Sequence, residues 1–161
     1  MQEKIQPQID TQELNDFLIR RGYLATTFTQ NGAGLLLINV TVNDIPGLFI
    51  LDTGAATTVI DACQADRLNL VLQAENKSNS GGGAGGSGLE VIPSTGNTIK
   101  IGDQTFPDFT LAIMSLEHAR EALAQIGAAE DFVGILGVDV LKPAKAIIDY
   151  NTMTLYLLPG Q

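Results

Sequence analysis

Apolar residues in this chain come in short runs divided by turn residues. Leu35-Leu36-Leu37-Ile38-Asn39-Val40-Thr41-Val42 closes at Asn43-Asp44, and Ile45 to Leu51 follows, so the pair reads as a β-hairpin. Thr98-Ile99-Lys100-Ile101 and Thr105-Phe106 flank Gly102-Asp103-Gln104 as a tight hairpin, with Phe109 to Met114 as a further strand. Val133-Gly134-Ile135-Leu136-Gly137 has the composition of a buried strand. Ala146 to Tyr150 and Met153 to Leu157 face each other across Asn151-Thr152 as a closing hairpin. Many short strands at close spacing predict an all-β barrel or sandwich.

Helical periods are few. Leu14, Phe17 and Leu18 share one face behind an Asp10/Glu13 capping pattern, and Gly22 can end that helix. Asp61 to Leu68 fits a short helix. Ala119, Ala122, Leu123 and Ile126 recur at helical spacing within Glu117 to Ile126, and Asp139 to Leu141 fits one turn before Pro143. Residues 1–33 read as an N-terminal tail with a short helix, and 34–161 as a single domain.

Composition narrows the partners. With 161 residues, 45% of them apolar, the chain can build one sizeable core. Its net charge of −9 repels a phosphate backbone, so nucleic acid is not an expected partner. No apolar run suffices for membrane insertion, and the first residues lack the apolar centre of a signal peptide. Cytoplasm is the default expectation; a trimmed periplasmic or membrane-tethered parent is the other. The lone Cys63 and lone His118 give no disulfide and no metal-ligand spacing, so no metal site is expected. Cys63 is expected to be a buried spectator.

The chemistry concentrates at Asp52-Thr53-Gly54-Ala55. The apolar run Leu48-Phe49-Ile50-Leu51 leads straight into an acid, a hydroxyl and a glycine. An acid after such a run is expected in a low-dielectric cleft. Asp139 and Asp149 are the other acids near these elements, but neither precedes Thr-Gly or Ser-Gly, and surface or capping roles are expected for both.

Ile50-Leu51-Asp52-Thr53-Gly54-Ala55, followed about eighty residues later by Ile135-Leu136-Gly137, resembles the retropepsin-like aspartic proteases, a single-lobe family. The stretch through Val138-Asp139-Val140-Leu141 and Ile147-Ile148-Asp149-Tyr150 resembles its bacterial branch. The resemblance implies a mainly β fold, a closed β-barrel of the acid-protease type with a few short helices. It also implies a homodimer, because one chain carries one of the two required acids. Asp52, Thr53 and Gly54 would form the catalytic loop, with Ala55, Ile135, Leu136 and Gly137 in support. Two Asp52 carboxylates would share a proton and activate water against a peptide or protein substrate, with no cofactor. Ala55 cannot donate the hydrogen bond that a Ser there could, which implies activity reaching weakly acidic or neutral pH.

Between the motifs lies Gly81-Gly82-Gly83-Ala84-Gly85-Gly86-Ser87-Gly88, where the family places its flap. Gly81, Gly82, Gly83, Gly85, Gly86 and Leu89 are the expected flap and substrate-contact residues; a plain surface loop is the alternative. The Gly-x-Gly-x-x-Gly pattern there does not indicate nucleotide binding, since a strand-like run and Pro93 follow instead of a helix. A retropepsin-like module that binds peptide or dimerises without hydrolysis is the competing function, and a structural domain of a larger assembly is a third.

Overall fold

The computed structural model describes residues 11–73, 78–79 and 90–160. A helix, α1 (Thr11–Arg20), opens this part. Strands β1 (Leu24–Thr27), β2 (Thr29–Gln30), β3 (Leu36–Val42), β4 (Ile45–Leu51) and β5 (Val59–Asp61) follow. After a 3-10 turn at Ala62–Gln64 come β6 (Ser78–Asn79), β7 (Glu90–Ile101) and β8 (Gln104–Met114). Then come α2 (Glu117–Gln125), β9 (Gly134–Leu136), α3 (Val138–Leu141), β10 (Ile147–Asp149) and β11 (Thr154–Leu157).

Six strands close on themselves. β3 pairs with β4, β4 with β9, β9 with β5, β5 with β8 and β8 with β7. β7 returns to β3 through Thr41↔Lys100 and Val42↔Ile99, which completes a barrel. β1, β11 and β10 form a separate three-stranded sheet. The mainly β barrel with a few short helices is thus the observed fold.

Turn chemistry sets these registers. Asn43 (φ 49°) and Asp44 (φ 67°) both take positive φ, as a two-residue hairpin between right-twisted strands requires. Gly102 (φ 54°) opens the turn that sets Ile101 opposite Gln104. The Asn43 side chain then braces the barrel end. It donates to the Leu68 carbonyl and to Asn97 Oδ1, and accepts from Thr98 N–H.

Alternation along β4 divides the interior. Phe49 and Leu51 enter the main core with Ile38, Ile60, Ile99, Leu111 and Leu136. Ile50 faces the other way, into a smaller cluster with Leu37, Leu116 and Phe132. Both faces of the strand that leads into Asp52 are therefore packed, which anchors the start of the loop.

Several elements differ from the sequence expectation. Residues 24–30 are paired strands, with β1 on β11 and β2 on β3, so part of the stretch read as a tail belongs to the sheets. Their alternation is masked in β1 because Thr26 shares the inner face with Leu24 while apolar Ala25 lies on the outer face with Thr27. The stretch after Ile60 is not an α-helix: β5 runs to Asp61 and only a 3-10 turn follows. Cys63 sits exposed on that turn, because Ala65 and Leu68 occupy its inward face. β7 and β8 are single long strands running through Pro93, Gly96 and Pro107, with register shifts between Ser94 and Ile99 absorbing the irregularity. The helix near 117–126 forms, but buries none of its own residues, and Ile126 is exposed.

Candidate active site

β4 delivers Asp52 to the barrel surface. Its backbone N–H bonds the Leu136 carbonyl at 3.0 Å, one residue beyond the parallel pair Leu51↔Leu136. The chain then turns at once, with Ala55 N–H reaching the Asp52 carbonyl at 3.2 Å. Gly54 N–H donates to Asp52 Oδ1 at 2.8 Å and fixes the carboxylate's orientation. A Cβ at Gly54 would lie 3.2 Å from that oxygen, so glycine gives the amide its close approach.

Asp52 is half-buried, and Thr53 and Gly54 are exposed. The expectation of an enclosed, low-dielectric cleft is therefore not met in this chain by itself. The loop is packed from beneath and open above. An open cavity of about 470 Å³ adjoins Thr53, with Val138, Leu141, Ala146 and Ile148 as apolar walls and Lys142 and Lys145 at its polar side.

Ile135, Leu136 and Gly137 lie directly behind the loop. β9 is inserted between β4 and β5, parallel to the first and antiparallel to the second. Leu136 is fully buried in the main core, and Ile135 packs on the smaller cluster. At Gly137 a Cβ would stand 2.6 Å from the Ala55 carbonyl oxygen and 3.0 Å from Thr57 backbone atoms. The loop occupies the space a side chain would need. Ala55 contributes its carbonyl, which accepts from Val138 N–H at 2.8 Å.

Two features escaped the sequence reading. Asp139 is not a surface acid: its oxygens accept from Thr58 N–H at 2.8 Å and Thr58 Oγ1 at 2.6 Å. Asp61 is buried and paired with Arg120 on α2 at 2.8 Å. Burial pushes the Asp61 carboxyl up, but the Arg120 hydrogen bond, Leu116 N–H, Cys63 and the Arg120 charge outweigh it and hold the group below the ordinary carboxylate range. No residue pattern flagged either pairing, because the partners are 81 and 59 positions apart. Asp149 does cap its own turn, accepting from Asn151 N–H and Thr152 Oγ1.

The expected flap residues Gly81, Gly82, Gly83, Gly85, Gly86 and Leu89 lie outside the described residues. The backbone on either side is paired antiparallel, Ser78 with Val91 and Asn79 with Glu90. Among the described residues, no group of three or more His, Cys, Asp or Glu could hold a metal ion, and no helix is long and apolar enough to cross a membrane.

A family model described as aspartyl protease matches residues 38–140, a span that holds both the Asp52 loop and the Gly137 element. The chain belongs to the aspartyl protease family. This aspartyl protease is also similar in fold to a retropepsin-like aspartic protease from Rickettsia conorii. That pair is 20% identical with a TM-score of 0.56, over 84% of this chain and 91% of that one. The retroviral protease-like domain of Ddi1 from Leishmania major is similar as well. It is 15% identical with a TM-score of 0.52, over 76% of this chain and 87% of that domain. No curated protein matches the chain at a significant level. The retropepsin-like fold of this aspartyl protease is thereby shared with proteins that differ from it at most positions.

Proposed function

We propose that this chain is a homodimeric aspartic endopeptidase whose active site forms from two copies of Asp52. The observation that carries the reading is the Asp52-Thr53-Gly54 loop: an acid oriented by Gly54 N–H, rigidly held from below and exposed above. One such loop supplies one carboxylate. Hydrolysis without a covalent intermediate needs a base to deprotonate water and an acid to polarise the scissile carbonyl. Two Asp52 groups sharing one proton provide both, and titrate as a coupled unit. Thr53, exposed beside Asp52, is suited to hydrogen-bond the partner's loop across the dimer axis. Ile135, Leu136 and Gly137 support the loop, and Gly81, Gly82, Gly83, Gly85, Gly86 and Leu89 are assigned to substrate contact. The mechanism calls for no metal or organic cofactor.

The test is cleavage of an unfolded protein substrate from acid to neutral pH, with wild type beside Asp52→Asn. Wild-type cleavage that the folded, dimeric variant lacks is the expected result. Equal cleavage by the variant refutes the mechanism. A dimeric wild type that cleaves nothing refutes the endopeptidase reading and favours a peptide-binding module.

A further inference from the structure

The loop from Asp52 to Thr58 is tied at four points to the stretch Leu136 to Asp139. Asp52 N–H reaches the Leu136 carbonyl, and Val138 N–H reaches the Ala55 carbonyl. Gly137 N–H donates to Thr58 Oγ1 at 3.0 Å, and Thr58 donates to Asp139 through both its N–H and its hydroxyl. Thr58 is completely buried, so no water can replace these partners.

We propose that Asp139 is a positioning residue for Asp52, acting through Thr58; the kinetic part of its test rests on the endopeptidase reading. An ionised carboxylate accepts hydrogen bonds and donates none. Asp139 Oδ1 therefore takes the single hydroxyl proton of Thr58, which turns the hydroxyl lone pairs toward Gly137 N–H. Asp139 Oδ2 takes the Thr58 amide. The carboxylate thus sets the rotamer of Thr58 and joins the far end of the loop to the turn beneath it. Gly137 has no space to slide, because the Ala55 carbonyl already fills the position of a Cβ. Displacing Thr58 would release the strut that fixes the height of the Asp52 carboxylate.

Asn at 139 keeps the shape but replaces one acceptor oxygen with a donor NH2. It cannot accept at separate oxygens from both the Thr58 amide and hydroxyl. Val at 58 keeps the volume and removes the hydroxyl, whereas Ser at 58 keeps the hydroxyl. The experiment compares kcat and KM of wild type, Asp139→Asn, Thr58→Val and Thr58→Ser on one peptide substrate, each checked as a folded dimer. Asp139→Asn and Thr58→Val are expected to lower kcat by roughly 10- to 100-fold at unchanged KM, as displacement of a reacting group by about 1 Å does. Thr58→Ser is expected to restore most of kcat. Wild-type kcat in Asp139→Asn or Thr58→Val overturns the proposal, as does a loss that Thr58→Ser shares in full.

Should wild type itself cleave nothing, the endopeptidase reading fails and the positioning is read from hydrogen exchange at Gly54 N–H. Faster exchange in Thr58→Val than in Thr58→Ser supports it, and equal rates overturn it.

Discussion

Replacing Arg120 by Leu isolates the one buried ion pair among the described residues that ties α2 to the barrel. Asp61 is 4% exposed, and Arg120 holds it from 2.8 Å while lying 4.3 Å over the Phe132 ring. Arg120 also donates to the Phe132 carbonyl oxygen. Leucine keeps the apolar stem over Phe132 but leaves the Asp61 carboxylate with Leu116 N–H at 3.2 Å and Cys63. Breaking a buried pair from one side costs about 3–5 kcal/mol. The Arg120 side chain is 27% exposed, so the lower end, about 3 kcal/mol, is expected. With a urea slope of about 2 kcal/mol/M, the midpoint falls by about 1.5 M.

The pH dependence gives this loss a signature. In wild type the Asp61 carboxyl sits below its ordinary value, so its contribution is complete above the unfolded value of about 3.9 and is lost as pH falls through the lower folded value. Without Arg120 the burial penalty dominates and the carboxyl rises above its unfolded value. The variant's buried charge then costs stability at neutral pH, and acidification relieves that cost. The deficit of Arg120→Leu should be largest near neutrality and shrink toward pH 4 (~0.1 of a unit above the unfolded reference). Urea unfolding followed by circular dichroism at both pH values, at one protein concentration because the stability of the proposed dimer would depend on it, measures this. Adding Asp61→Asn to Arg120→Leu should recover about 2 kcal/mol at neutral pH, since the amide carries no charge to bury. A deficit below about 1 kcal/mol would mean the pair is screened like a surface bridge and would refute the reasoning. A deficit independent of pH would do the same.

Gly137→Ala should cost about 1–3 kcal/mol and depress cleavage more than stability, because its Cβ would meet the Ala55 carbonyl at 2.6 Å and lift the loop that carries Asp52. Chemical denaturation beside kcat checks it; a variant as stable and active as wild type removes the close-packing argument. Mixing wild type with an equal amount of Asp52→Asn, once subunits have exchanged, should leave about a quarter of the activity of the same total amount of wild type, because only one dimer in four then carries two acids. A value near one half would mean that each protomer works alone.

The barrel strands and their turns were legible because their signals are local. Asn43-Asp44 must take positive φ, and the observed hairpin obeys that requirement. The long β7–β8 hairpin was read as fragments, since Pro93, Gly96 and Pro107 interrupt the pattern that the register shifts accommodate. β1 was missed for a different reason: four residues, Leu-Ala-Thr-Thr, hold no strand by themselves, and their partner β11 lies at the other end of the chain. Asp52, Thr53 and Gly54 stood out because a strand end and a turn sit together in sequence.

The clamp around that loop could not stand out, because its parts meet only in three dimensions. An acid two residues past a glycine resembles any helix-start acid until Thr58 is brought against it. The same geometry bears on the proposed split of the site between two copies. Every tie to the loop described above comes from beneath, from residues 136–139, while Thr53 and Gly54 face outward. A second carboxylate supplied by the same chain would need another acid followed by Thr-Gly or Ser-Gly, and the sequence holds none besides Asp52. In the proposed dimer a second copy supplies an identical loop on an identical support. The rigidity built beneath Asp52 then sets the separation of the two acids as soon as the two surfaces meet, which is why loosening Thr58 or crowding Gly137 should damage catalysis before it damages the fold.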